Sequence, residues 1–134
     1  MNRLTSLLII IATLTSCTKE DVFLKNTELI GKWKLIEQYL DPGDGSGDFR
    51  PIESERIIEF FKNGKILSNG SFCSMNSDTS ENNTGSFNDE EVIIVKNGCN
   101  SSTYKINYKL IDGNLQLWYP CIEGCAQKFQ KINN

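Results

Sequence analysis

The chain has 134 residues, 14 of them basic and 17 acidic, for a net charge of −3, and it contains no histidine. An acidic balance argues against a nucleic-acid partner, which is held by a basic face. The missing histidine removes the commonest general base, the usual metal ligand and any Ser–His or Cys–His nucleophile pairing. The length admits one small folded domain and not two.

The first segment is an address. Arg3 supplies a positive charge, residues 4–14 are an almost unbroken apolar run, and Leu14-Thr15-Ser16-Cys17 closes it. That is the layout of a secretory signal peptide, and the run falls short of the roughly 20 residues that a spanning helix needs. The closing four residues resemble the lipobox of bacterial lipoproteins, where cleavage falls just before a cysteine that receives lipid. The resemblance implies that residues 1–16 are removed, that the chain attaches to a membrane through lipid on Cys17, and that residues 17–27 are anchor and tether. Lys19-Glu20-Asp21 resembles the surface-export signal of some Gram-negative lipoproteins, which implies an outer-membrane, surface-exposed location. Read from the residues alone, the same charges are a solvated linker.

Residues 28–134 are left for the domain, and their pattern is all-β. A single helical turn is predicted over 27–30, capped by Asn26 or Thr27. The first strand, 33–39, places Trp33, Leu35 and Tyr39 on one face. Strands over 56–61 and 65–72 flank Asn63-Gly64, a dipeptide that tolerates the positive φ of a two-residue hairpin. Short strands over 85–87 and 91–95 flank Asn88-Asp89-Glu90, and residues 75–83 are polar enough for a loop. Residues 104–110 alternate without error, so Tyr104, Ile106, Tyr108 and Leu110 face a core. Asp112-Gly113 turns the chain into 115–119, where Trp118 faces outward between Leu117 and Tyr119, and 127–132 ends the series. Eight strands joined by short loops pair antiparallel, because a parallel crossover needs a dozen or more residues. Closure into an eight-stranded up-and-down barrel removes the sheet edges.

Gly31-Lys32-Trp33 at the first strand resembles the Gly-x-Trp signature of lipocalins. Three further stretches extend the likeness: residues 41–47, Ile58-Glu59-Phe60 before Asn63-Gly64, and Cys121-Ile122-Glu123-Gly124-Cys125 before Lys128-Phe129. Together they resemble the lipocalin-like lipoproteins of Gram-negative bacteria. The resemblance implies that Trp33 plugs one end of the barrel. Lipocalins stack an arginine from near the last strand over that tryptophan; this chain offers Lys128 or Lys131, which lack the planar guanidinium.

The chemistry is that of a binding protein and not of an enzyme. Glu53, Glu55, Glu59 and Glu123 read as surface charge, no catalytic residue is identified, and no cofactor is expected. Asp44, Ser46 and Asp48 alternate as calcium ligands do, but the 12-residue frame with a terminal glutamate is missing, so no metal site is assigned. With Cys17 lipidated, Cys73, Cys99, Cys121 and Cys125 form an even set suited to disulfides in an oxidising compartment. Alternating strands bring all four to one rim. Three pairings remain open; Cys73–Cys99 with Cys121–Cys125 leaves each bridge closest in sequence. Two functions follow. A small apolar ligand would sit inside the barrel against Leu35, Tyr39, Phe60, Ile106, Tyr108, Leu117 and Tyr119. Alternatively the barrel is filled, and the protein engages a protein or glycan partner through its surface, with Trp118 as an anchor.

Overall fold

The computed structural model describes residues 27–133; the expected signal peptide, Cys17 and Lys19-Glu20-Asp21 lie outside the described residues. A 3₁₀ turn at Thr27–Leu29 leads into nine strands: β1 Gly31–Leu40, β2 Asp48–Pro51, β3 Ile57–Phe60, β4 Lys65–Ser68, β5 Asn83–Phe87, β6 Val92–Gly98, β7 Ser101–Ile111, β8 Asn114–Trp118 and β9 Cys125–Ile132. Every neighbouring pair is antiparallel, and β9 closes the sheet against β1.

Nine strands make eight staves. β2 pairs with the second half of β1 and β3 with the first half, on the same side of it. Two hydrogen bonds carry the ladder across the gap, from Ile52 N to Ile36 O (2.9 Å) and from Leu35 N to Arg56 O (3.0 Å). The chain is therefore the closed eight-stranded barrel expected from the pattern. β2 was not foreseen, because Pro51 and the glycine-rich stretch before Asp48 read as loop.

The turns follow their residues. Asp112 (φ 52°) and Gly113 (φ 75°) form the two-residue hairpin that the dipeptide predicts. Asn63-Gly64 also makes a hairpin, but of three residues: Gly64 N donates to Phe61 O (3.0 Å), and Gly64 takes the left-handed position (φ 78°). A third tight turn joins β6 to β7 through Cys99 (φ 58°) and Asn100 (φ 55°). The strand predicted over 65–72 stops at Ser68; beyond it the chain turns inward and buries Phe72 completely.

One apolar cluster fills the barrel from end to end, including Leu29, Trp33, Phe60, Phe87, Ile106, Leu117 and Phe129. Trp33 is buried at the end covered by the 3₁₀ turn, and its Nε1 donates to Leu29 O (2.8 Å). Lys131 supplies the stacked cation, with Nζ 5.3 Å from the Trp33 ring centroid, while also donating to Glu28 O.

One inward assignment is corrected. The β1–β9 register shifts between Leu35 and Glu37, so Ile36 is a bulge and every later residue of β1 changes face. Gln38 now points into the barrel, donating to Met75 O (2.6 Å), and Tyr39 points out, stacked on Phe49 and Trp118. Tyr39 does not line the interior.

Replacing Trp33 with alanine should lower stability by about 3–5 kcal/mol through the cavity left behind. Urea titration measures the loss, and a change below about 1 kcal/mol would show that this barrel end does not depend on the indole.

Candidate functional site

Strand alternation carries residues 56, 58 and 60 inward together, and the first of these is an arginine. Arg56 is 0 % exposed, as is Gln127 on β9. Arg56 Nη1 donates to Asn76 O (2.8 Å) and Gln127 Oε1 (3.0 Å); Nη2 donates to Ser71 O and, at 3.4 Å, to the Tyr119 hydroxyl. Tyr119 in turn donates to Gln127 Oε1 (2.7 Å), and Gln127 Nε2 donates to Asn76 O (3.1 Å). Among the described residues, no carboxylate takes part. The guanidinium is held by carbonyl oxygens, each a charge-assisted bond worth about 1.5–3 kcal/mol that offsets desolvation.

The two backbone acceptors come from the loop between β4 and β5, residues 69–82. Four of its carbonyls meet barrel side chains: Ser71 and Asn76 receive from Arg56, Met75 from Gln38, and Ser77 from Ser54 Oγ (3.1 Å). Gly70 is the contact that lets the loop come this close, since a Cβ there would lie 2.5 Å from Asp78 O and 3.0 Å from Arg56 Nε. Phe72 drops into the core beneath, and Cys73 bonds to Cys99 in the β6–β7 turn, with Cα atoms 4.9 Å apart. The loop is a plug seated in the upper mouth of the barrel and stapled to the far wall.

Cys121 bonds to Cys125 across the β8–β9 loop (Cα–Cα 6.1 Å), so both disulfides lie at that rim in the pairing of nearest sequence neighbours. The bridge that pins the plug encloses the larger loop, a separation of 26 residues against 4, and contributes the greater constraint on the unfolded chain.

Six of the seven residues expected to line a ligand do face inward, and they are engaged with one another. The Phe60 ring centroid is 4.9 Å from Phe87 and 6.1 Å from Tyr108. Tyr108 donates its hydroxyl to Asn88 O (2.7 Å), and Tyr119 belongs to the Arg56 network. Leu35, Ile106 and Leu117 are buried in the same cluster. Arg56 and Gln127 escaped the sequence reading, although a signal existed: each sits at an inward position of its own strand's alternation.

Outside, near the same rim, Tyr39, Phe49 and Trp118 pack around Ala126, with ring centroids 5.3, 5.5 and 6.3 Å apart. Lys128 Nζ lies 4.3 Å from the Phe49 ring centroid and pairs with Glu37; Trp118 Nε1 donates to Gln116 Oε1 (3.2 Å). The loop above is closed on itself: Asp41 Oδ1 accepts from Gly43 N and Gly45 N, and Asp44 Oδ1 from Ser46 N (2.9 Å). The Ser46 hydrogen bonds hold the Asp44 carboxyl below its usual pKa. No family model, no curated protein and no solved structure matches this chain.

Arg56→Met should destabilise the barrel by about 1–3 kcal/mol for each buried carbonyl left without a donor. Amide exchange in residues 71–77 should accelerate more than in β7. Equal protection of residues 71–77 in the parent chain and in Arg56→Met would mean that the guanidinium does not hold the plug. Alkaline pH should act from the other end. Burial, aided by Asp89 and Glu91, pushes Tyr108 up to about 12. A folded-state pKa above the unfolded value favours folding below pH ~10, and that contribution is lost as pH rises towards 12. Stability measured by denaturant from pH 9 to 12 should fall, and Tyr108→Phe should flatten part of the slope.

Proposed function

We propose that this chain is an outer-membrane lipoprotein, anchored through lipid on Cys17 and displayed at the surface, whose lipocalin-like barrel is a closed scaffold for a protein or glycan partner. The observation that carries this reading is the Arg56 clamp. A molecule entering the barrel mouth would have to break the bonds to Ser71 O and Asn76 O and withdraw Phe72 from the core, leaving a buried guanidinium with only Gln127 Oε1 and the Tyr119 hydroxyl to accept from it. Binding through the outer wall carries no such cost. There the Tyr39–Phe49–Trp118 cluster offers aromatic surface beside polar Gln116 and the Lys128–Glu37 pair, a composition suited to an interface.

Binding of a small apolar ligand inside the barrel is the second reading, and one observation favours it. Below the clamp, Leu35, Phe60, Ile106, Tyr108 and Leu117 present an apolar lining. A plug that swung away would uncover it.

One experiment separates the two. The chain from Thr18 onward is titrated with a fluorescent fatty-acid probe, alongside a Leu117→Trp variant that fills the interior. The expected result is no uptake by the parent chain. Saturable 1:1 uptake that Leu117→Trp abolishes would move the function inside the barrel. Mass spectrometry of protein extracted from host membranes should separately find an acylated Cys17; an unmodified Cys17 would end the lipoprotein reading.

A further inference from the structure

Away from the rim, the outer faces of β4, β5 and β6 form a groove of about 640 Å³ lined by Phe61, Leu67, Thr84, Ser86, Ile94 and Lys96 among others. Its shape follows from the ladder. β5 and β6 are in register at only Ser86↔Ile94 and Phe87↔Ile93, although β6 runs on to Gly98. Past Ser86 the staves part, and the wall is hollowed between Thr84 and Lys96. The floor is apolar: Leu67 is 39 % and Phe61 36 % exposed, large for residues with no functional reason to meet water.

The rim is basic. Register places Lys65, Ser86, Ile94 and Lys105 in one row across four staves, with Phe61 beside Lys65 at the end of β3, so Lys65 stands within the groove and Lys105 just beyond it. Lys96 stands above them in the next row. Lys65, Lys96 and Lys105 have no ion pair among the described residues. Glu59, in register with Leu67, is the acid at the upper edge. On a chain with net charge −3, a basic rim around an apolar floor is a local inversion of the surface.

The groove also has a position. Gly31 pairs with Phe60, which puts the start of β1, and so the point where the chain enters the barrel, beside the β3–β4 turn that carries Phe61 and Lys62. On the membrane attachment proposed above, this is the end of the barrel nearest the bilayer.

We propose that the β4–β5–β6 groove binds an anionic lipid of the membrane to which the chain is attached. An acyl chain lies on Phe61, Leu67 and Ile94, and the headgroup phosphate lies between Lys65 and Lys96. Each part needs the other: the lysines attract an anionic headgroup, and the apolar floor adds contact that soluble anions cannot make. The barrel then lies with this wall against the bilayer, and the aromatic cluster of Tyr39, Phe49 and Trp118 faces away from it.

The test uses the chain from Thr18 onward, which retains every described contact and lacks Cys17, so vesicle binding reads the groove and not the acyl anchor. Flotation with vesicles of phosphatidylglycerol in phosphatidylcholine should recover the parent chain, and vesicles of phosphatidylcholine alone should not. Lys65→Glu and Lys96→Glu should each weaken binding about ten-fold or more, and Glu59→Lys should strengthen it. Leu67→Ser should weaken binding at high salt, where headgroup attraction is screened. Lys109→Glu makes the same change of net charge outside the groove and should have little effect. Loss of binding equal to that of Lys65→Glu in this variant would reduce the effect to net charge and overturn the site. So would equal recovery on both vesicle types, or no recovery at all. Displacement by millimolar inorganic phosphate would replace the lipid with a soluble anion. If Cys17 proves acylated while flotation fails, the groove inference falls alone.

Discussion

A buried guanidinium, with no carboxylate partner among the described residues, organises the upper half of this barrel. Arg56 satisfies its charge with the backbone carbonyls of Ser71 and Asn76 and with Gln127 and Tyr119, so a loop that would otherwise cross open solvent is drawn into the mouth. Burial of Phe72, the close approach at Gly70 and the Cys73–Cys99 bond all depend on the loop being there. The lower half obeys a different constraint, the indole of Trp33 held between Leu29 and Lys131. One end is closed by a polar clamp and the other by an apolar lid.

This division matters for function because polar clamps are specific and apolar ones are permissive. A network in which nearly every donor finds an acceptor fixes one arrangement, and an incomplete one is penalised in a low-dielectric interior. Among the described residues, Arg56 Nε is a buried side-chain polar atom without a hydrogen-bond partner, and it lies against Gly70. The clamp is nearly saturated, which favours a mouth that stays shut.

Much of the architecture was legible in the residues. The unbroken alternation over 104–110 marked β7, Asp112-Gly113 marked its hairpin, and the up-and-down order brought four cysteines to one rim before any pairing was known. What escaped was whatever depends on the backbone. The bulge at Ile36 leaves the apolar pattern of β1 intact and so hid the reversal of Tyr39. Two of the four acceptors of Arg56 are backbone carbonyls, which every residue carries and no side chain announces. β2 escaped too, and Pro51 is tolerated there because β2 ends the strand order and pairs with β1 on one side alone.

The closing ladder also has a mechanical meaning. β1 and β9 run antiparallel along their length, with Lys32 opposite Ile132, so both ends of the barrel chain emerge at the same pole. Tension applied between them would peel the seam one rung at a time, beginning at Lys32 and Ile132, instead of shearing many rungs together. Tension applied through a tether at the first strand alone, against a weight borne by the opposite rim, runs along β1 and loads its rungs in parallel. The same seam is a zipper to one direction of pull and a weld to the other.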